Sequence, residues 1–142
     1  MLLNKIISIS IVIAFITFSQ VHATHWKYLQ TYTEPILGIV SIEYIDTDSM
    51  YFTEDTVQII TKADNPHNDY TSYSRILLFM NTKTYQILYT NVINPQGNII
   101  YENYQPSPFY EILSNTPIES AYYFLKYEYK NLPNIPSYKN SI

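Results

Sequence analysis

From Trp26 onward the chain is built of short runs of alternating apolar and polar residues separated by turn-forming clusters. "WKYLQTY" (26–32) alternates loosely and predicts a first strand. Pro35 and Gly38 interrupt it. "IVSIEYI" (39–45) follows as a second strand, then "DTDS" (46–49), whose Asp and Ser side chains suit a turn. "MYF" (50–52) predicts a short strand and "VQIITK" (57–62) a longer one rich in β-branched residues. The polar stretch "ADNPHNDYTS" (63–72) predicts the longest loop. Beyond it, "YSRILLFMN" (73–81) places Tyr73, Arg75, Leu77 and Phe79 on one face, opposite Ile76, Leu78 and Met80. "TYQILYTNVI" (84–93) places Tyr85, Ile87, Tyr89 and Asn91 opposite Gln86, Leu88, Thr90 and Val92. The link "NTK" (81–83) predicts a tight hairpin. "NPQGN" (94–98) predicts a turn with Gly97 at positive φ. "IIYENY" (99–104) reads as the last strand, ended by Pro106 and Pro108.

The period then changes. Thr116, Pro117 and Glu119 form a capping box with proline at the first helical position. Ile118, Ala121, Tyr122, Leu125 and Tyr129 fall on one face of the helix that follows. The expected fold is therefore α+β: an antiparallel meander of five or six strands with one C-terminal helix packed on one face.

The N-terminus follows a different pattern. Lys5 precedes an apolar run, Ile6 to Phe18, of about 13 residues, short of the about 20 that span a bilayer. Val21 and Ala23 supply the small residues of a cleavage site between Ala23 and Thr24. The expected organisation is a signal peptide over 1–23, one domain over 24–132 and a loose tail over 133–142. The mature protein would be exported, to the periplasm, the cell surface or beyond, with no membrane span after cleavage. The chain contains no cysteine. A single core-stabilised exported domain without disulfides fits a bacterial envelope better than a small secreted eukaryotic domain.

The formal net charge is −4, and the lysines and the single arginine are scattered. Without a basic stripe nucleic-acid binding is not expected. Cysteine catalysis is excluded by composition. Two glycines, Gly38 and Gly97, cannot write a P-loop or a dinucleotide fingerprint. His25 and His67 are isolated, so no metal and no cofactor is expected. Counted from Asp46 as a calcium loop, "DTDSMYF" puts Met50 at a ligand position and Tyr51 where glycine is required, and the pattern fails. Asp46 and Asp48 remain a carboxylate pair that a hydrolase could use, but a turn is the simpler reading, and no enzymatic activity is expected. What stands out is 16 tyrosines. Tyr73, Tyr85, Tyr89 and Tyr101 alternate with aliphatic residues, and some are expected on a solvated sheet face.

In order, "HWKYL" with Trp26, "EYIDTDSM", "VQIITK", "NPQGNIIYENY", "PFYEIL" and the helix entry "TPIESAYYFL" resemble the surface-adhesin protein E family of bacterial secreted domains, over residues 26 to 130. The resemblance implies an antiparallel sheet with a C-terminal helix, exposure on the surface or in the periplasm, and attachment to host matrix proteins. Many members of that family carry a cysteine pair, which is missing here, so packing alone must stabilise this chain. The expected function is non-enzymatic protein binding, with His67, Tyr70, Tyr73 and Arg75 as contact residues. The alternative is a periplasmic inhibitor or envelope accessory protein with a bacterial partner. Exposed strand edges would also allow a homodimer.

Overall fold

The computed structural model describes residues 25–128. The expected cleavage site, signal peptide and C-terminal tail lie outside them. Eight strands form one antiparallel sheet: β1 Trp26–Thr33, β2 Val40–Asp46, β3 Tyr51–Phe52, β4 Thr56–Asn65, β5 Tyr70–Phe79, β6 Thr84–Ile93, β7 Ile99–Asn103 and β8 Tyr110–Glu111. Six of them run side by side in the order β1-β2-β4-β5-β6-β7. The two short ones resume an interrupted neighbour. β3 pairs with β4 beyond the stretch that β2 covers, and β8 pairs with β6 beyond β7. The fold is α+β, and its helix follows the sheet in the sequence.

Three local expectations are corrected. The loop 63–72 is mostly strand: β4 runs to Asn65 and β5 starts at Tyr70, leaving a four-residue turn. The Asn65 side chain closes that turn, its Oδ1 accepting from the backbone N–H of His67 and Asn68 at 3.2 and 3.0 Å, while Asp69 takes φ of 52°. Secondly, Pro106 and Pro108 do not end the sheet. They remove two donors, but Ser107 between them bonds to Ile87 through both its N–H and its hydroxyl, at 2.8 and 2.9 Å, and β8 follows. Thirdly, the alternation in β6 breaks. Ile76 lies opposite Ile87 and Arg75 opposite Tyr89, so Leu88 is the extra residue of a bulge. Tyr85 and Ile87 therefore pack against the core, whereas Tyr89 and Asn91 take the other face.

The core lies between the sheet and helix α1, which is α-helical over Pro117–Tyr123 and widens to a π-turn over Phe124–Glu128. Ile45, Val57, Ile59, Ile76 and Leu78 from the sheet meet Ala121, Phe124 and Leu125 from the helix. Phe124 is off the apolar face that a 3.6-residue period predicts. The wider turn brings it inward beside Leu125. The capping box forms as expected at its first half: Thr116 Oγ1 accepts from Glu119 N at 3.3 Å. Glu119 Oε2 accepts from Asn115 N at 2.9 Å, one residue before the cap. Lys27 to Glu128 (2.5 Å), Ser120 to Gln30 (2.6 Å) and Tyr122 to the Met80 carbonyl (3.3 Å) fasten the helix to the sheet.

Candidate binding face

The opposite face of the sheet carries no helix among the described residues. Its register builds one unbroken cross-strand row. Tyr28 lies opposite Tyr44, Tyr44 opposite Lys62, Lys62 opposite Tyr73, Tyr73 opposite Asn91, and Asn91 opposite Glu102. Neighbouring strands are about 4.8 Å apart, so these six side chains stand shoulder to shoulder. Trp26 joins the row from β1, its ring 5.8 Å from Tyr73.

The two ends differ in electrostatics. At the β1–β5 end the Lys62 ammonium lies 4.2 Å from the Tyr44 ring centroid and 5.5 Å from that of Trp26, and pairs with Asp64 Oδ2 at 3.0 Å. Asp64 also accepts from the Thr71 hydroxyl at 2.8 Å. Two aromatic rings and a carboxylate, all groups that suit a cation, thus surround most of the ammonium. At the β7 end Glu102 Oε1 accepts from the hydroxyls of Tyr89 (2.7 Å) and Tyr104 (2.6 Å), whose rings lie 4.7 Å apart. Those two bonds hold the Glu102 carboxyl below its ordinary range, and donation to a carboxylate pushes the Tyr104 phenol up to about 12. Between the ends sits Asn91, whose buried Oδ1 has no hydrogen-bond partner. An unpaired buried acceptor is costly, and a donor from a ligand would relieve it.

Arg75 lies next to the row, exposed, with Tyr89 across from it on β6. Among the described residues each lysine is held by a carboxylate or lies over an aromatic ring: Lys27, Lys62, Lys83 and Lys126. Arg75 shows neither kind of partner. Its planar guanidinium is thus free for a bidentate contact.

The four residues singled out in the sequence do not form one cluster. Tyr73 and Arg75 share the helix-free face. Tyr70 alternates to the other face, where its hydroxyl takes a hydrogen bond from Asn65 Nδ2 at 3.3 Å, and it borders a cleft of about 450 Å³ between the β4–β5 and β6–β7 turns. His67 is exposed on the β4–β5 turn. Of the tyrosines expected on the solvated face, Tyr89 is there beside Tyr73. Tyr85 packs towards the core, and Tyr101 alternates to the helix side. Trp26, Tyr28, Tyr44, Lys62, Asn91 and Glu102 were missed as site residues, because only the strand register joins them.

The stretch "EYIDTDSM" closes a turn. Buried Asp46 accepts from the Asp48 N–H through Oδ1 at 3.0 Å, and the Ser49 hydroxyl donates to the Asp46 carbonyl at 3.2 Å. Asp48 pairs with His25 at 2.5 Å, which raises the imidazole pKa. Both carboxylates are thereby engaged in local structure. Among the described residues no three His, Asp or Glu side chains converge as metal ligands would, and no helix is long and apolar enough to cross a membrane. No protein-family model, curated protein or solved structure matches the chain.

Proposed function

We propose that this chain is an exported, non-enzymatic binding domain that engages a protein partner through the helix-free face of its sheet. One observation carries the reading: a continuous row of side chains, aromatic at Tyr28, Tyr44 and Tyr73, crosses all six main strands, and beside it lies exposed Arg75, which has no carboxylate or ring partner among the described residues. Tyrosine, tryptophan and arginine are the residues that dominate binding energy at protein interfaces. The sequence resemblance to surface-adhesin protein E supports extracellular matrix proteins as the first partners to try. An envelope protein of the same cell is the second.

The experiment has two arms. Intact cells are treated with protease and compared with opened cells, which separates a surface position from a periplasmic one. Purified protein is then titrated against immobilised matrix proteins, or against an envelope extract if the domain is protected. Replacing Tyr73 or Arg75 by Ala should cost about 2 kcal/mol, roughly thirtyfold in Kd, while Tyr70→Ala on the other face leaves Kd unchanged. Equal binding by wild type and both face variants would remove this face from the proposal.

A further inference from the structure

The border of the sheet formed by β7 and the chain beyond it is unusual for the edge of a monomer. All five residues of β7 are exposed. Ile99, Ile100, Tyr101, Tyr104, Phe109, Tyr110 and Leu113 are exposed large apolar side chains, from 43% for Tyr110 to 69% for Tyr104. Edge strands are ordinarily guarded by lysine, proline or a bulge that carries a polar residue. β7 has neither lysine nor proline. It does have a bulge, since Val92 pairs with Tyr101 and Ile93 with Ile99, but the residue left over is Ile100.

We infer that this border is a self-association surface, on which β7 of a second copy lies antiparallel to β7 of the first about a two-fold axis. The occupant follows from three features. The outer edge of β7, the last strand of the sheet, is unpaired, and exposed Ile99, Ile100 and Tyr101 supply apolar contacts alongside it. The segment 99–113 contains no basic residue and only Glu102 and Glu111 as acids. An antiparallel arrangement about Tyr101 sets Glu102 against Ile100 of the partner and keeps like charges from meeting. The Glu102 carboxylate is also drawn back onto its own sheet by Tyr89 and Tyr104. Finally, the other edge of the sheet does not compete. At β1, Lys27 is tied to Glu128 and Gln30 to Ser120 of the helix, and a bulge interrupts the strand between Tyr28 and Gln30. Pairing β7 with β1 of another copy, which would grow an open filament, is therefore disfavoured against the closed two-fold dimer.

In that dimer the two sheets continue into one and both helix-free faces point the same way. Two Tyr73–Arg75 sites then lie on one surface, which would raise avidity for a repetitive partner. The dimer itself does not depend on the binding function proposed above.

The test is the mass of the purified protein in solution, by light scattering and sedimentation from micromolar to millimolar concentration, for wild type, Ile100→Lys and Tyr101→Lys. The expected result is a wild-type mass rising to that of two chains, with both variants keeping the mass of one chain and an unchanged Trp26 emission. Hydrogen exchange on wild type supplies a second readout that needs no variant. Those amides of Tyr101 to Asn103 that point away from β6 should become more protected as concentration rises. A wild type that is monomeric throughout overturns the inference, as does a dimer that survives both substitutions. Protection of those amides that is independent of concentration overturns it too, because it would show that this chain covers its own edge.

Discussion

Lys62 and Tyr44 stand directly opposite each other on β4 and β2, and the ammonium lies 4.2 Å from the centroid of the tyrosine ring. The Lys62 side chain is only 18% exposed, so the contact is partly desolvated, and Asp64 supplies the counter-charge. Lys62→Met keeps the aliphatic stem but removes the charge from two rings and leaves Asp64 without its cation. It should cost about 1–2 kcal/mol. The chain's single tryptophan reports the change: Trp26 lies within 5.5 Å of Lys62 and 5.8 Å of Tyr73, so its emission should shift in the variant and again when a ligand covers the face. Urea unfolding followed by this fluorescence measures both effects. Unchanged stability would mean that the charge contributes nothing to the row.

The core predicts the largest single loss of stability. Leu78 is fully buried, pairs with Val57 across the β4–β5 ladder and belongs to the cluster that receives Phe124 and Leu125. Leu78→Ala removes its contacts and leaves a cavity that strands on both sides prevent from collapsing. The expected cost is about 3–4 kcal/mol, read from the urea midpoint at constant slope. Leu77→Ala, one residue away on the opposite face, should cost clearly less.

The helix depends on its first turn. Thr116 Oγ1 accepts from Glu119 N and donates to the Leu113 carbonyl at 2.7 Å, so one hydroxyl joins the helix to the chain arriving from β8. Thr116→Ala should cost about 1 kcal/mol, and Thr116→Ser should restore most of it. Thermal unfolding of the three proteins checks the order.

The face of each strand was legible in sequence wherever period-two alternation held, as in β5, where Leu78 and Tyr73 were assigned correctly to opposite sides. It was lost where one inserted residue shifted the register. Leu88 reversed the later half of β6 and moved Tyr89 to the face of Tyr73, a change that no local pattern signals. The same limit hid most of the candidate face. Tyr28, Tyr44, Lys62, Tyr73, Asn91 and Glu102 each come from a different strand, and only the pairing of those six strands makes them neighbours. Phe124 was missed for a different reason, because its burial follows from a π-turn that departs from the α-helical period. The turn chemistry at Asp46 and Gly97 was readable because it is local: Asp46 bonds two residues ahead and Gly97 takes φ of 80°.

Glu43 gives the sheet a pH dependence. It is half-buried on the helix side of β2, opposite Gln30 and Ala63, and burial raises its carboxyl pKa despite a hydrogen bond from the Ser41 hydroxyl at 2.5 Å. A carboxyl with a raised folded-state pKa favours folding when protonated. Its contribution is present below the unfolded value near 4.5 and is lost as pH rises through the folded value. Glu43→Gln should therefore melt higher than wild type at pH 7, and the advantage should vanish below about pH 4. A variant that melts lower at neutral pH would show that the ionised carboxylate is stabilised by a partner.

Tyr104 provides the sharpest spectroscopic prediction. Its hydroxyl donates to Glu102, beside the parallel donation from Tyr89, and its pKa stands at about 12 against an ordinary 10.0. Raised phenol and lowered carboxyl are two sides of the same bonds, since each proton is held between a donor and an anion that both favour its place. Alkaline titration of the ring Cζ carbons by NMR should find Tyr104 ionising later than an ordinary tyrosine. Glu102→Gln replaces the anion with a neutral acceptor and should bring Tyr104 back towards 10.0, with Tyr89 falling in the same direction. The Tyr89–Tyr104 contact joins β6 to the chain just past β7. Tyr104→Phe in turn deletes one of the two bonds on Glu102, so the carboxyl pKa should rise towards its ordinary value while remaining below it through Tyr89. If Tyr104 keeps its late titration without the Glu102 charge, burial rather than this hydrogen bond sets its pKa.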